Sequence, residues 1–256
     1  MEQLTNKRVI VTGALGGIGI PVMKLLSESG AQLFAVDRRD EAEAAQSLPN
    51  IVIDSGKYLK VELSKTSEIS NLIDSIANEK PNCLVALAGI VVSGELTSQS
   101  EESIRDVINV NLVSQMELAK HLIQFWLKEK IPGNIVFVSS WVDHVPWPGI
   151  TPYAASKAGL VALCRGIARE YARSGIRANV ISPGIVDVGM AAKQWREEPD
   201  YRARASRAIP LGRLQSPEEV AQGIAFLLSD NANYMTGSNL LIDGGASLYP
   251  MDPEEN

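Results

Sequence analysis

The chain has 256 residues, 45% of them hydrophobic and 21% charged, with a formal net charge of −6 at pH 7. That length supports one large α/β domain with a sizeable core, and the acidic balance argues against a nucleic-acid partner. Residues 1–6 lack the basic start and apolar stretch of a signal peptide, and no apolar run approaches membrane-spanning length, so a cytoplasmic protein with no membrane partner is expected.

The first predicted element is the apolar run Lys7-Arg8-Val9-Ile10-Val11. It leads into Thr12-Gly13-Ala14-Leu15-Gly16-Gly17-Ile18-Gly19 and then a helical pattern through Met23, Leu25 and Leu26. Strand, glycine-rich turn and helix in this order suit a pyrophosphate, because bare backbone allows close approach and a helix N-terminus offers free N–H groups and a positive dipole end. Gly13, Gly17 and Gly19 are the phosphate-loop candidates. Pro21 predicts a local distortion, since a proline beyond the first turn removes an intrahelical hydrogen bond.

Gln32-Leu33-Phe34-Ala35-Val36 reads as the second strand and ends in Asp37, about twenty residues past the glycine cluster, where a carboxylate accepts from an adenosine ribose. Asp37 therefore predicts NAD as cofactor, because it repels a 2′-phosphate. Arg38 and Arg39 would accommodate that phosphate only if turned inward, and they read as solvated charges on an exposed turn. Further apolar strands near Leu59, Val85, Val136, Val180 and Leu241 alternate with helical patterns. The expected fold is a single α/β domain over 1–256, a Rossmann-type doubly wound parallel sheet of about seven strands with helices on both faces.

Cys83 and Cys164 lie in apolar segments and read as core residues; with the widely spaced His121 and His144 they show no zinc pattern, and no metal site is expected. Gly133 to Ser140 reads as a buried strand ending in a hydroxyl, at the strand end where open α/β sheets bind ligands. Tyr153 and Lys157 follow at helical i, i+4 spacing, which puts them on one face. Two unit charges about 4 Å apart at an effective dielectric near 20 interact by roughly 4 kcal/mol, or about three pKa units, so Lys157 is expected to pull the Tyr153 phenol down toward neutrality as a general base. Ser140 would orient the reacting oxygen. His144 falls between Ser140 and Tyr153 and is expected to line the substrate pocket, while Trp147 reads equally as a stacking wall for a ring or as packing at a subunit contact. A hydrolase built on Ser140, Asp143 and His144 lacks a Gly-x-Ser-x-Gly elbow. The stretch 189–211 is rich in charge and alanine around Trp195, and Arg202, Arg204 and Arg207 read as one face of a mobile helix. Residues 250–256 form a short tail.

Taken together, these residues resemble the short-chain dehydrogenase/reductase family, from Thr12-Gly13 through Asp243-Gly244-Gly245 and over nearly the whole chain. The resemblance implies that Ser140, Tyr153 and Lys157 carry catalysis and that Asn111, in Ile108-Asn109-Val110-Asn111-Leu112, supports a proton relay. It implies a cofactor site completed by Leu15, Gly16, Ile18, Arg38, Glu62, Leu63, Ala88, Gly89, Tyr153, Lys157 and the turn Pro183, Gly184 and Val186. It also implies a substrate lid near 189–211 carrying Trp195, and a homo-oligomer, a tetramer by preference. Two positions depart from the family pattern: Ala86-Leu87-Ala88-Gly89 where Asn-Asn-Ala-Gly is usual, and Val188 where a threonine commonly bonds the cofactor. Val145-Pro146-Trp147-Pro148 and the C-terminal Asp243-Gly244-Gly245 are similar to the glucose dehydrogenase branch, and His144 to dehydrogenases of cyclic dihydrodiols. The expected activity is NAD-dependent interconversion of a secondary alcohol and a ketone, on a small-molecule substrate such as a cyclic polyol, sugar or dihydrodiol. The alternatives are an NADPH-dependent 3-oxoacyl reductase and a non-catalytic NAD-binding scaffold.

Overall fold

A computed structural model describes residues 4–48 and 56–248. The C-terminal tail expected over 250–256 lies outside them.

Seven strands form one wholly parallel sheet in the order β3-β2-β1-β4-β5-β6-β7. They are β1 (Arg8–Thr12), β2 (Gln32–Asp37), β3 (Gly56–Lys60), β4 (Cys83–Ala86), β5 (Gly133–Val138), β6 (Ile176–Pro183) and β7 (Asn239–Ile242). All seven fall at the apolar runs that predict them. β4 and β5 are buried at every position, as strands covered on both faces must be. Because side chains alternate along a strand, Val9 and Val11 enter one core layer while Ile10 enters the other. The two cysteines divide likewise, Cys83 into the first layer and Cys164 into the second, and burial pushes both thiols up to about 12.

The helices among the described residues are α1 (Gly19–Glu28), α2 (Glu41–Ser47), α3 (Thr66–Ile76), α4 (Glu101–Ile108), α5 (Ser114–Glu129), α6 (Thr151–Tyr171), α7 (Gly189–Glu197), α8 (Pro199–Ala208) and α9 (Pro217–Leu228). Their starts are locally encoded. Asp40 and Glu43 form a reciprocal capping box on α2, Ser216 and Glu219 form another on α9, and Ser100 caps α4 through the Ser103 N–H. α1 and α9 pack together over the first layer, while α3, α5 and α6 contribute to the second.

Pro21 does not distort α1. The helix begins at Gly19, so the proline sits in the first turn, where its missing N–H had no intrahelical partner to lose. The register continues past it, with the Val22 N–H donating to the Ile18 carbonyl at 3.1 Å.

The strand order reverses between β1 and β4, and a crevice opens there beyond the carboxyl ends of the strands. The second core layer is closed at its far end by Trp126, fully buried, whose indole N–H donates to the Pro81 carbonyl at 2.7 Å. Gly133 makes room for it: a Cβ there would stand 2.2 Å from Trp126 Cε3. Gly133→Ala is expected to cost about 1–3 kcal/mol through overpacking, measured as a lowered denaturation midpoint; an unchanged midpoint would show that the ring yields freely.

Candidate active site

The glycine turn between β1 and α1 builds one wall of the crevice. Gly13 adopts φ +67°, which glycine reaches without strain. A Cβ on Gly19 would stand 2.1 Å from the Gly13 carbonyl oxygen, so this turn closes only on a bare backbone. The N–H groups of Gly17 and Ile18, just ahead of α1, find no backbone partner among the described residues. They supply the free donors that an anion at a helix start requires.

The crevice encloses about 560 Å³ and is lined by Gly13, Gly16, Gly17, Ile18 and Gly19 on one side, by Asp37, Arg38, Arg39, Glu62 and Leu63 at one end, and by Ala88, Gly89 and Ile90 opposite. Leu15 is buried instead, and joins the site only through its N–H, which donates to Asp37 Oδ2 at 3.0 Å. The other Asp37 oxygen accepts from the Arg39 N–H at 3.2 Å. Arg38 and Arg39 both line the crevice, Arg38 exposed and Arg39 half-buried with its Nε 3.5 Å from Asp37 Oδ1. Glu62 accepts from the Ser64 hydroxyl at 3.0 Å. Among the residues expected on the nicotinamide side, Pro183 ends β6, Gly184 donates its N–H to Gln215 Oε1 at 3.0 Å, and Val186 is buried in the first core layer. None of these three lines the crevice; Val188 does, packed so closely on the turn that a Cβ on Gly17 would stand 2.7 Å from its own Cβ. An apolar contact thus occupies the position where the family commonly has a hydroxyl.

At Ala86-Leu87-Ala88-Gly89 the Leu87 and Ala88 N–H groups both donate to Thr12 Oγ1, each at 3.1 Å. Beyond it, Asn111 is fully buried in a π-helical turn, Asn109–Val113, that joins α4 to α5. Such turns are found often at functional sites, since the extra residue re-aims a side chain. Asn111 accepts from the Ile90 N–H at 2.7 Å and donates to the Ile90 carbonyl at 2.8 Å and to Ser156 Oγ at 3.1 Å. Its amide and the Lys157 ammonium meet at Gly89: a Cβ there would lie 3.2 Å from Asn111 Oδ1 and 3.4 Å from Lys157 Nζ.

Lys157 and Tyr153 share a face of α6, with Nζ 5.5 Å from the phenol ring centroid. The lysine is buried, and Nζ donates to the Val138 carbonyl at the end of β5, at 2.8 Å. Ser140 follows that strand end, and its hydrogen bond to the Tyr153 hydroxyl favours the phenolate. The electrostatics run opposite to the expectation from charge pairing. Burial pushes the Tyr153 phenol up to about 12, outweighing the Ser140 bond and aided by the Asp143 charge. Burial likewise pushes the Lys157 amine down to about 8. Loss of water around each group exceeds their mutual effect, so the phenol holds its proton.

Asp143 is a residue that local sequence reading missed. Its carboxylate is fully buried, and Oδ2 accepts from Ser139 Oγ at 2.8 Å, Ser182 Oγ at 2.7 Å and Asn239 Nδ2 at 3.3 Å. It thereby ties the ends of β5, β6 and β7 together. Ser139 Oγ also lies 3.0 Å from the Lys157 carbonyl oxygen, so its single proton is shared between that carbonyl and Asp143. His144 is exposed and turns to this cluster, with Nδ1 3.3 Å from Asp143 Oδ1 and Nε2 3.4 Å from Asn239 Nδ2. The Asp143 N–H donates to the Ser140 carbonyl at 2.9 Å, but among the described residues the Ser140 hydroxyl is bonded to neither the Asp143 carboxylate nor the His144 ring, so the hydrolase alternative lacks its serine–base link.

A third apolar cluster, centred on Trp141, Val142, Ile185, Ala205 and Ile209, adjoins the phenol. Tyr153, Trp147, Trp195 and Tyr201 all pack against it, so α7, α8 and the loop before α6 join one apolar cluster beside Tyr153. Trp141 and Trp147 meet edge to face with ring centroids 5.5 Å apart. Arg202, Arg204 and Arg207 do not share a face: Arg202 and Arg207 are exposed, whereas the Arg204 guanidinium lies over Trp147.

Comparison with known proteins follows the same outline. A family model described as "Enoyl-(Acyl carrier protein) reductase" matches residues 13–247. The chain is 36% identical to the 3beta-hydroxysteroid dehydrogenase 1 of Eggerthella lenta, over 97% of each chain. It is 34% identical to a 3-oxoacyl-[acyl-carrier-protein] reductase of Chlamydia trachomatis, over 94% of this chain and 98% of that protein. A solved structure described as an NAD(P)-dependent gluconate 5-dehydrogenase from Beutenbergia cavernae, with bound NADP, superposes with a TM-score of 0.90 at 28% identity, covering 96% of this chain and 99% of that one. No helix among the described residues is long and apolar enough to cross a membrane. The chain belongs to the short-chain dehydrogenase/reductase family, and is an NAD(P)-dependent oxidoreductase acting on CH–OH and carbonyl groups.

Proposed function

We propose that the protein interconverts a secondary alcohol and a ketone, with NAD preferred over NADP and Tyr153 as the proton-transfer residue. The observation that carries this reading is the convergence of Ser140, Tyr153 and Lys157 beside the glycine-lined crevice. The bare backbone of Gly13, Gly17 and Gly19 fits a pyrophosphate, and Asp37 fits the hydroxyls of an adenosine ribose. When bound, the nicotinamide ring supplies or accepts hydride.

The protein's part is to hold and move one proton. Ser140 polarises the reacting oxygen, and Tyr153 donates to it in reduction or accepts from it in oxidation. Lys157, anchored on Val138, steadies the charge that develops on the phenol, and Asn111 holds the loop at Ile90 against α6. A phenol held near 12 is the form needed for carbonyl reduction at neutral pH, while oxidation is favoured as pH rises. Trp147 and Trp195 wall the substrate chamber against a ring, in keeping with a polyol-like substrate, and residues 189–211 act as the lid over it. The exposed Val113, just before α5, and Met116 and Leu127 along it fit a homo-oligomer, with a tetramer preferred.

A second reading, an NADPH-dependent 3-oxoacyl reductase, is favoured by Arg38 and Arg39 at the adenosine end of the crevice and by the 3-oxoacyl reductase relative. Comparing kcat/KM for NADH and NADPH separates them. On our reading NADH leads, and Asp37→Ser shifts the ratio toward NADPH by about tenfold or more, the size of ~1.4 kcal/mol of relieved repulsion. A wild-type preference for NADPH supports the rival.

Tyr153→Phe is expected to reduce turnover at least about 100-fold while leaving nucleotide affinity within a few-fold, read by steady-state kinetics and nucleotide titration. Near-normal turnover in that variant removes the mechanism.

The buried Lys157 also makes stability depend on pH. Below about 8 the folded and unfolded chains both carry the proton; between 8 and 10 the unfolded chain binds more, because the ordinary lysine value is 10.5, so stability rises with pH. Above pH 10, the ordinary tyrosine value, Tyr153 acts in the opposite sense, since its folded value of about 12 keeps a proton that the unfolded chain releases. The wild-type protein without added nucleotide is expected to gain about 2 kcal/mol over Lys157→Met between pH 8 and 10 in urea denaturation. A parallel pH dependence of the two proteins contradicts this.

A further inference from the structure

Arg204 differs from the other arginines of the lid region. Arg196 donates to the Ala192 carbonyl at 3.0 Å and lies 4.0 Å from Asp187, and Arg202 and Arg207 reach solvent. Arg204 instead leaves α8 with its guanidinium carbon 5.0 Å from the Trp147 ring centroid and 5.9 Å from that of Tyr201. Among the described residues it has no ion-pair or hydrogen-bond partner, and its Nε is buried without an acceptor.

A guanidinium carries five N–H donors and no acceptor. Stacking on an aromatic face also leaves its hydrogen-bonding capacity unspent, since the N–H donors lie in the guanidinium plane and the rings occupy the space above it. What such an edge accepts best is a planar anion with two oxygens, through paired charge-assisted hydrogen bonds.

The location gives this a function. Trp147 and Tyr201 pack on the same apolar cluster as Tyr153, and Trp147 touches Trp141, the residue after Ser140. The cation therefore lies over an aromatic ring of the same apolar cluster that packs against the proton-transfer phenol. We propose that Arg204 binds a carboxylate of the substrate, so that the preferred substrates are secondary hydroxy acids and the corresponding oxo acids. The assignment rests on the oxidoreductase reading of Tyr153 and narrows it. The polyol-like body would pack on the tryptophans, and its acid group would meet Arg204.

The test offers short hydroxy acids, sugar acids and their methyl esters, with NAD and NADP, to the wild-type enzyme, Arg204→Gln, Arg204→Lys and Tyr153→Phe. The wild type is expected to favour acid over matched ester by about tenfold or more in kcat/KM, expressed mainly in KM. Arg204→Gln collapses that ratio toward one by raising KM for the acid far more than for the ester, and Arg204→Lys keeps part of it. Esters used as well as acids overturn the proposal, as does an Arg204→Gln variant that loses acid and ester equally, which marks a structural clamp on the lid. Calorimetric titration of the acids onto the nucleotide-loaded enzyme keeps the two readings distinct. Acid binding that survives in Tyr153→Phe and fails in Arg204→Gln supports the carboxylate site whatever the turnover, and absence of acid binding to the wild type overturns it.

Discussion

Helix α6 is held to the end of β5 through one residue at both of its ends. Lys157 gives its ammonium to the Val138 carbonyl and takes the Ser139 hydroxyl on its own carbonyl oxygen. Those two bonds fix the height of Tyr153, one helical turn earlier, against Ser140, two residues after Val138. They also carry a cost. A buried lysine on a neutral carbonyl has lost its water without gaining a full counter-charge, and its amine falls to about 8 accordingly. The arrangement persists because the strand ends beneath it are themselves bound together, by the Asp143 carboxylate bridging Ser139, Ser182 and Asn239.

Around this junction the chemistry divides by layer. The glycine turn and Asp37 lie at the β1 and β2 ends and present backbone donors and one carboxylate to the crevice. The residues proposed to handle the proton lie just after β5 and on α6, across the point where strand order reverses. The aromatic chamber comes from the loop before α6 and from α7 and α8, elements added outside the sheet. Sheet and cofactor crevice follow from a repeating strand-and-helix scheme. On the proposed reading substrate choice falls to the additions, where Arg204 lies over Trp147.

The sheet was legible because each buried strand is a continuous apolar run, as in Cys83–Ala86 and Gly133–Val138, and needs no partner to announce itself. The glycine turn was legible because a Cβ at Gly19 is sterically forbidden whatever lies elsewhere. What escaped depends on residues distant in sequence. Asp143 meets Ser182 and Asn239 across separations of 39 and 96 residues, and nothing near Asp143 marks it as buried. Arg204 was read with Arg202 and Arg207 as a polar face, since its aromatic partner Trp147 belongs to another element. The sign of the Tyr153 shift escaped for a related reason: spacing gives the lysine's position, but the desolvation that outweighs it is set by the whole chamber.

The central claim is that burial holds the Tyr153 proton while Ser140 and Lys157 stand ready to share its charge. Titration of the Tyr153 ring carbon that bears oxygen, by NMR of tyrosine-labelled protein with Tyr153→Phe for assignment, tests it most directly. The account predicts a resonance that keeps its neutral-phenol position well beyond pH 10 and titrates at about 12. Titration at or below the ordinary tyrosine value of 10.0 would contradict it and restore charge pairing as the dominant effect.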